Sequence, residues 1–178
     1  MTRISTVSPA AASGATAEVF NAIKKSIRMI PNSFATVGTH TPEGLSVMLQ
    51  LDQVIAHSTL SKADNEVIRL VVSQLAHCDY CLAAHTMLGK MAGLSADTIK
   101  QVRAGMPSGD AKRDALVHFV RLLSITSGTI EEAELQALLA AGYSERQVIE
   151  ISMAIAAITF TNLINRINDT KLDFPKAD

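Results

Sequence analysis

Apolar residues recur every three or four positions along most of this chain, interrupted by Gly, Pro, Ser and Thr at the places where helices start and stop. Val19, Phe20, Ile23 and Ile27 share one face of a helix predicted from about Ala15 to Arg28. Pro31 opens a short helix through Val37. Thr41 and Pro42 form an N-cap and first-turn pair for a helix running to about His57. Its positions Leu45, Met48, Leu49, Leu51, Val54 and Ile55 are broad enough to face two neighbours. His57, at its C-terminal end, suits the helix dipole.

Ser61 caps the next helix, which turns Val67, Leu70, Val71 and Leu75 to its apolar side. A fold-back at Ala76–His77 then leads into a helix over Cys78–Met91, although no Gly or Pro marks that turn. Gly93 ends it and Ser95 caps Ala96–Arg103. Ala111–Ile125 turns Leu116, Phe119, Val120 and Leu123 inward and leaves His118 off the stripe. Thr129 is expected to cap Glu131–Ala140 in a box-like arrangement with Glu132. Gly142 and Ser144 repeat the Gly93 and Ser95 device before the last helix, Glu145–Asn168, which is apolar all round in its middle. On that helix Asn162 and Asn165 put two amides on one face, with structural hydrogen bonding as their expected role.

The pattern predicts an all-α fold. A compact multi-helix single domain over residues 1–178 is built on an antiparallel hairpin, with 1–13 as an N-terminal arm and 169–178 as a tail. Leu172 and Phe174 of the tail are expected to pack over a neighbour.

Composition narrows the function. Sixteen basic and seventeen acidic residues in 178 give a formal net charge of −1, which argues against a nucleic-acid surface. No apolar leader segment is visible at the N-terminus, and the longest uncharged run, Ile151–Asn165, is too short to cross a bilayer. Two cysteines at C-x-x-C spacing without an export signal suit a cytoplasmic catalytic pair better than a disulfide framework.

The chemistry concentrates between Ser61 and Ala92. On a helix, Cys78, Cys81 and His85 fall within roughly 60° of arc. Cys81 and His85 are four residues apart, so imidazole and sulfur can meet directly or through one water. A thiol needs such help, because the thiolate is the nucleophile. If the chain folds back at Ala76–His77, Glu66 and His85 lie at about the same level of the hairpin. A carboxylate there could orient the imidazole as the third member of a nucleophile–base–orienter set. Two other readings stay open: half of a zinc site, for which no second cysteine pair exists, and a pair of inert core cysteines.

The pattern Glu66, Cys78, Cys81 and His85, with the run CDYCLAAH, resembles the alkylhydroperoxidase D and carboxymuconolactone decarboxylase family. The resemblance extends from about Phe20 to Pro175, including PNSFATVGTHTPE and the NRIND…DFP tail. It implies a helical fold, a homo-oligomer built as a trimer or hexamer, and alkyl hydroperoxide reduction through the cysteine pair. Carried over by residue, Cys81 would be the peroxidatic cysteine and Cys78 the resolving one. His85 would accept the proton, and Glu66 would stand at the far end of a water-mediated relay. The typical hydroperoxidase has a histidine just before the second cysteine; Tyr80 stands there in this chain.

No bound cofactor or metal is expected. The expected partners are a hydroperoxide substrate and an external dithiol or lipoyl-type reductant, with no nucleic acid and no membrane. The alternatives are a disulfide reductase using the same dithiol, a decarboxylase acting on a lactone, which needs no cysteine pair, and a non-enzymatic helical interaction module.

Overall fold

A computed structural model describes residues 2–177 of the chain. The described residues form nine α-helices and no strands. They are α1 (Gly14–Ile27), α2 (Asn32–His40), α3 (Pro42–Ala56), α4 (Lys62–Leu75), α5 (Asp79–Met91), α6 (Ala96–Ala104), α7 (Ala111–Thr126), α8 (Glu132–Ala140) and α9 (Glu145–Asn168). This all-α architecture is the one the periodicity predicts, with helix ends shifted by a few residues.

Helix α4 is the hub and packs on α3, α5, α6, α7 and α9. The sequence explains why: Val67, Ile68, Leu70 and Val71 are all fully buried, so its apolar face is wide enough for several neighbours. The principal core gathers around α4, α7 and α9, with Leu116, Phe119, Ile151 and Ile158 inside it. A second cluster joins α1, α2 and α3 through Phe20, Ile23, Val37 and Leu45.

Caps follow the sequence closely at four starts, Ser95 accepting the Thr98 N–H at α6 among them. Thr41 Oγ1 accepts from the Gly44 N–H, Ser61 Oγ from Asp64 N–H, and Ser144 forms a full capping box with Gln147. Helix α8 differs. Its N-cap is Glu131, with no side-chain cap, so Thr129 sits two residues too early to serve. Extended backbone at Glu131 (φ −74°, ψ 150°) delays the helix to Glu132.

The hairpin turn shows why no glycine is needed at the fold-back. His77 takes the left-handed conformation at φ 52°. Its N–H bonds to Gln74 O, and Cys78 N–H reaches back to Ser73 O, which together make a Schellman motif closing α4.

Helix α9 is apolar on its exposed side as well as on its buried one. Ile151, Ala154 and Ile158 face the core, while Ile149, Phe160, Leu163 and Ile167 are exposed. By length and composition alone it could cross a membrane; here it packs on α2, α3, α4, α5 and α7. The tail also differs from expectation. Leu172 and Phe174 pack on the chain's own core, and the Phe174 ring meets Tyr80 edge-on at 5.6 Å between centroids. Asp173 Oδ2 accepts the Asn32 N–H, which ties the tail to the start of α2.

Candidate functional site

Cys78 is the N-cap of α5: its backbone is extended, and its sulfur accepts the Cys81 N–H at 3.4 Å. The sulfur itself thus takes the place of the Ser or Asp that usually caps a helix. Cys81 follows in the first turn, and the two sulfurs lie 2.7 Å apart as free thiols bridged by one hydrogen bond.

The two thiols do not share charge equally. Cys78 is lowered from the ordinary thiol range, first by its hydrogen bond with Cys81, then by the Cys81 N–H and the positive charge of Arg166, against burial and Asp79. Cys81 is raised by its contact with Cys78, by burial and by the charge on Cys78; donors at Asn165 and Thr161 oppose this. The pair thus favours a thiolate on Cys78 while Cys81 keeps its proton.

Glu66 and His85 meet across the hairpin. His85 Nδ1 lies 2.8 Å from Glu66 Oε2, both side chains being largely buried. The contact is direct, as a carboxylate that orients the imidazole requires. A carboxylate only accepts, so Nδ1 carries the hydrogen and Nε2 is left to give or take a proton elsewhere. Among the described residues no direct hydrogen bond joins His85 to Cys81.

Cys81 and His85 line one cavity of about 470 Å³. Tyr80, Ala84, Met87, Leu88 and Met91 of α5 form its floor, and Thr161 and Asn165 of α9 form one wall. Ile27, Met29, Pro31 and Phe34 come from α1, α2 and their connection, and Phe174 closes it from the tail. Asp52 and Arg69 bring the only other charged side chains to its lining. Cys78 does not line it.

Three residues named from the sequence take roles at the site beyond those assigned there. Asn165 Nδ2 points at Cys81 Sγ at 3.4 Å, so this amide serves the sulfur and not only the scaffold. Its only advance signal is its place on the helix face that also buries Asn162. Tyr80 OH accepts the Ser33 N–H, linking the cysteine loop to α2; burial raises its phenol far above the usual range. Phe174 arrives from a segment without periodicity. No group of three or more His, Cys, Asp and Glu side chains converges as a metal site among the described residues.

The all-α arrangement of these helices is one found in known proteins. Residues 42–119, from α3 to α7, match the model of the carboxymuconolactone decarboxylase family. The fold match runs further. A peroxidase-related protein with an alkylhydroperoxidase D core from Ralstonia eutropha superposes with a TM-score of 0.83 at 18% identity, over 97% of this chain and 92% of that one. A peroxidase-related protein from a Silicibacter species gives 0.78 at 22% identity, over 96% and 94%. A debrominase crystallised with 2,3,4-tribromopyrrole gives 0.79 at 19%, over 97% and 92%. No curated protein matches the sequence.

Proposed function

We propose that the chain is a thiol peroxidase that reduces organic hydroperoxides at Cys81. The observation that carries this reading is one mostly apolar cavity lined by both Cys81 Sγ and the Glu66-paired imidazole of His85. Cys78 holds the pair's charge but has no place on the cavity wall. The reactive form is the one in which the shared proton moves from Cys81 to Cys78 along the short S–H···S contact. The charge then sits on Cys81, where the Asn165 amide supports it.

Cys81 thiolate attacks the terminal oxygen of the hydroperoxide. The O–O bond breaks, sulfur becomes a sulfenic acid, and the departing alkoxide leaves as an alcohol by taking from His85 Nε2 the proton that this imidazole accepted when the cysteine pair ionised. Cys78 then attacks the sulfenic sulfur, expelling water and closing a disulfide, which spares Cys81 from irreversible oxidation. An external dithiol, of lipoyl or small-protein type, reopens the bond by exchange and is itself oxidised to a disulfide. No bound cofactor takes part. Reduction by a diffusible dithiol fits a cytoplasmic setting.

Replacing Cys81 by Ser should abolish turnover. Cys78→Ser should consume one hydroperoxide per site and stop as a sulfenic acid, trapped by dimedone and seen by mass. Full activity in Cys81→Ser overturns the assignment.

The charge on the helix-capping Cys78 favours a second reading, a disulfide reductase. Rates with cumene hydroperoxide and with a small linear disulfide separate the two.

A further inference from the structure

Arg69 lies one turn beyond Glu66 on α4 and reaches the same cavity as Cys81. It also lines a second, outer hollow with Glu66 and Lys62 on the far side of Leu88 and Met91. Its guanidinium holds Asp52 through one bond only, Nη2 to Oδ1 at 2.8 Å. Its Nε is buried and has no hydrogen-bond partner.

An arginine offers five donors in a planar fork and pairs with carboxylates through two parallel bonds where it can. This one is under-used. It stands in a cavity whose lining is largely apolar, with Met, Leu, Ile and Phe side chains among its walls. An uncharged substrate would gain nothing from a charged pair kept in such a place, and burying the pair has a cost of its own. Asp52 is the more exposed partner, its side chain 31% accessible against 15% for Arg69, so it can turn to solvent while Arg69 stays.

We infer that Arg69 is a carboxylate-recognising residue, and that the cavity takes molecules with an apolar chain and a terminal carboxylate, with Asp52 as the internal competitor for the guanidinium. Resting on the peroxidase reading, this makes the preferred substrate a hydroperoxide of fatty-acid type. The acid end is held at Arg69 and the apolar chain lies against Met29, Leu88 and Met91. Neutral hydroperoxides would enter without that anchor.

The test uses binding and does not depend on turnover. Decanoate and decanol, equal in chain length, are each titrated for protection of Cys81 against iodoacetamide, read by peptide mass spectrometry on the whole chain. Decanoate should protect at least tenfold more tightly than decanol. That preference should fall to near unity in Arg69→Gln and rise about threefold or more in Asp52→Asn, which frees the guanidinium. Equal protection by the two in the native chain, or a preference that Asp52→Asn leaves unchanged, overturns the inference. Because the two substitutions act in opposite directions, Asp52→Asn decides if Arg69→Gln does not fold. Selective protection by decanoate in a protein that consumes no hydroperoxide supports the subsite and overturns only the peroxidase reading.

Discussion

Two sulfurs 2.7 Å apart cannot both carry charge, so what matters at Cys78 and Cys81 is where one proton rests. Cys78 is lowered and Cys81 raised, so the first proton leaves from Cys78 below the ordinary thiol range and the second stays on through strongly alkaline pH. Thiolate absorbance near 240 nm, followed against pH, should show one ionisation and not two. The consequence for stability has a definite sign. The lowered group stabilises the fold once pH exceeds the unfolded thiol value, and that gain fades as pH falls through its folded value; the raised group opposes it at alkaline pH. Cys78→Ser should therefore shift the observed ionisation upward, since Cys81 loses the acceptor that orders the pair but keeps its burial. Asn165→Ala removes the donor that supports charge on Cys81. Its peroxide rate constant should fall by about tenfold, corresponding to roughly 1.4 kcal/mol, with little change in peroxide affinity. The residue types at this site were legible because they are chemically distinctive and regularly spaced. The division of charge between them was not, because it depends on Arg166 and Asn165, which come from a helix more than 80 residues away.

At the scale of elements, the helices were readable wherever a side chain capped them, as at Thr41, Ser61 and Ser144. They were misread where a cap lay in the wrong place, as at Thr129. The α4–α5 turn was placed correctly but without its device, since His77 does what Gly usually does. A non-glycine residue in that conformation costs roughly 1–2 kcal/mol, and glycine's freer unfolded chain gives back about 0.4–1 kcal/mol. His77→Gly should therefore stabilise by about 0.5–1 kcal/mol, raising the melting temperature by about 2 °C in a chain of this size. A drop in melting temperature would mean that the exposed His77 side chain makes a contact that outweighs the strain. The antiparallel pairing of α4 and α5 puts Glu66 and His85 level. That followed from counting residues on either side of the turn, a local quantity the sequence carries directly.

Across the whole molecule, the cavity draws on α1–α5, α9 and the tail at once. Such convergence leaves no local pattern, so neither Phe174 nor the Asp52–Arg69 pair could be read in advance. The solvent face of α9 is another long-range outcome. Ile149, Phe160, Leu163 and Ile167 form an exposed apolar stripe of the kind that marks contact between molecules. We propose that copies of the chain meet along this stripe. Sedimentation at micromolar concentration should give a mass of three or six chains, and Leu163→Glu should shift it toward the monomer while leaving helical circular dichroism intact.

The chain has no tryptophan and two tyrosines. Tyr143 lies under the Lys112 ammonium, 4.6 Å from its ring centroid, well away from the dithiol. Tyr80 forms part of the wall beside Cys81, with Phe174 against its edge. Replacing Tyr143 by Phe would leave a single emitter inside the reaction chamber. Ligand entry and each change in the sulfurs' redox state could then be followed in real time by the protein's own ultraviolet fluorescence, without an attached dye.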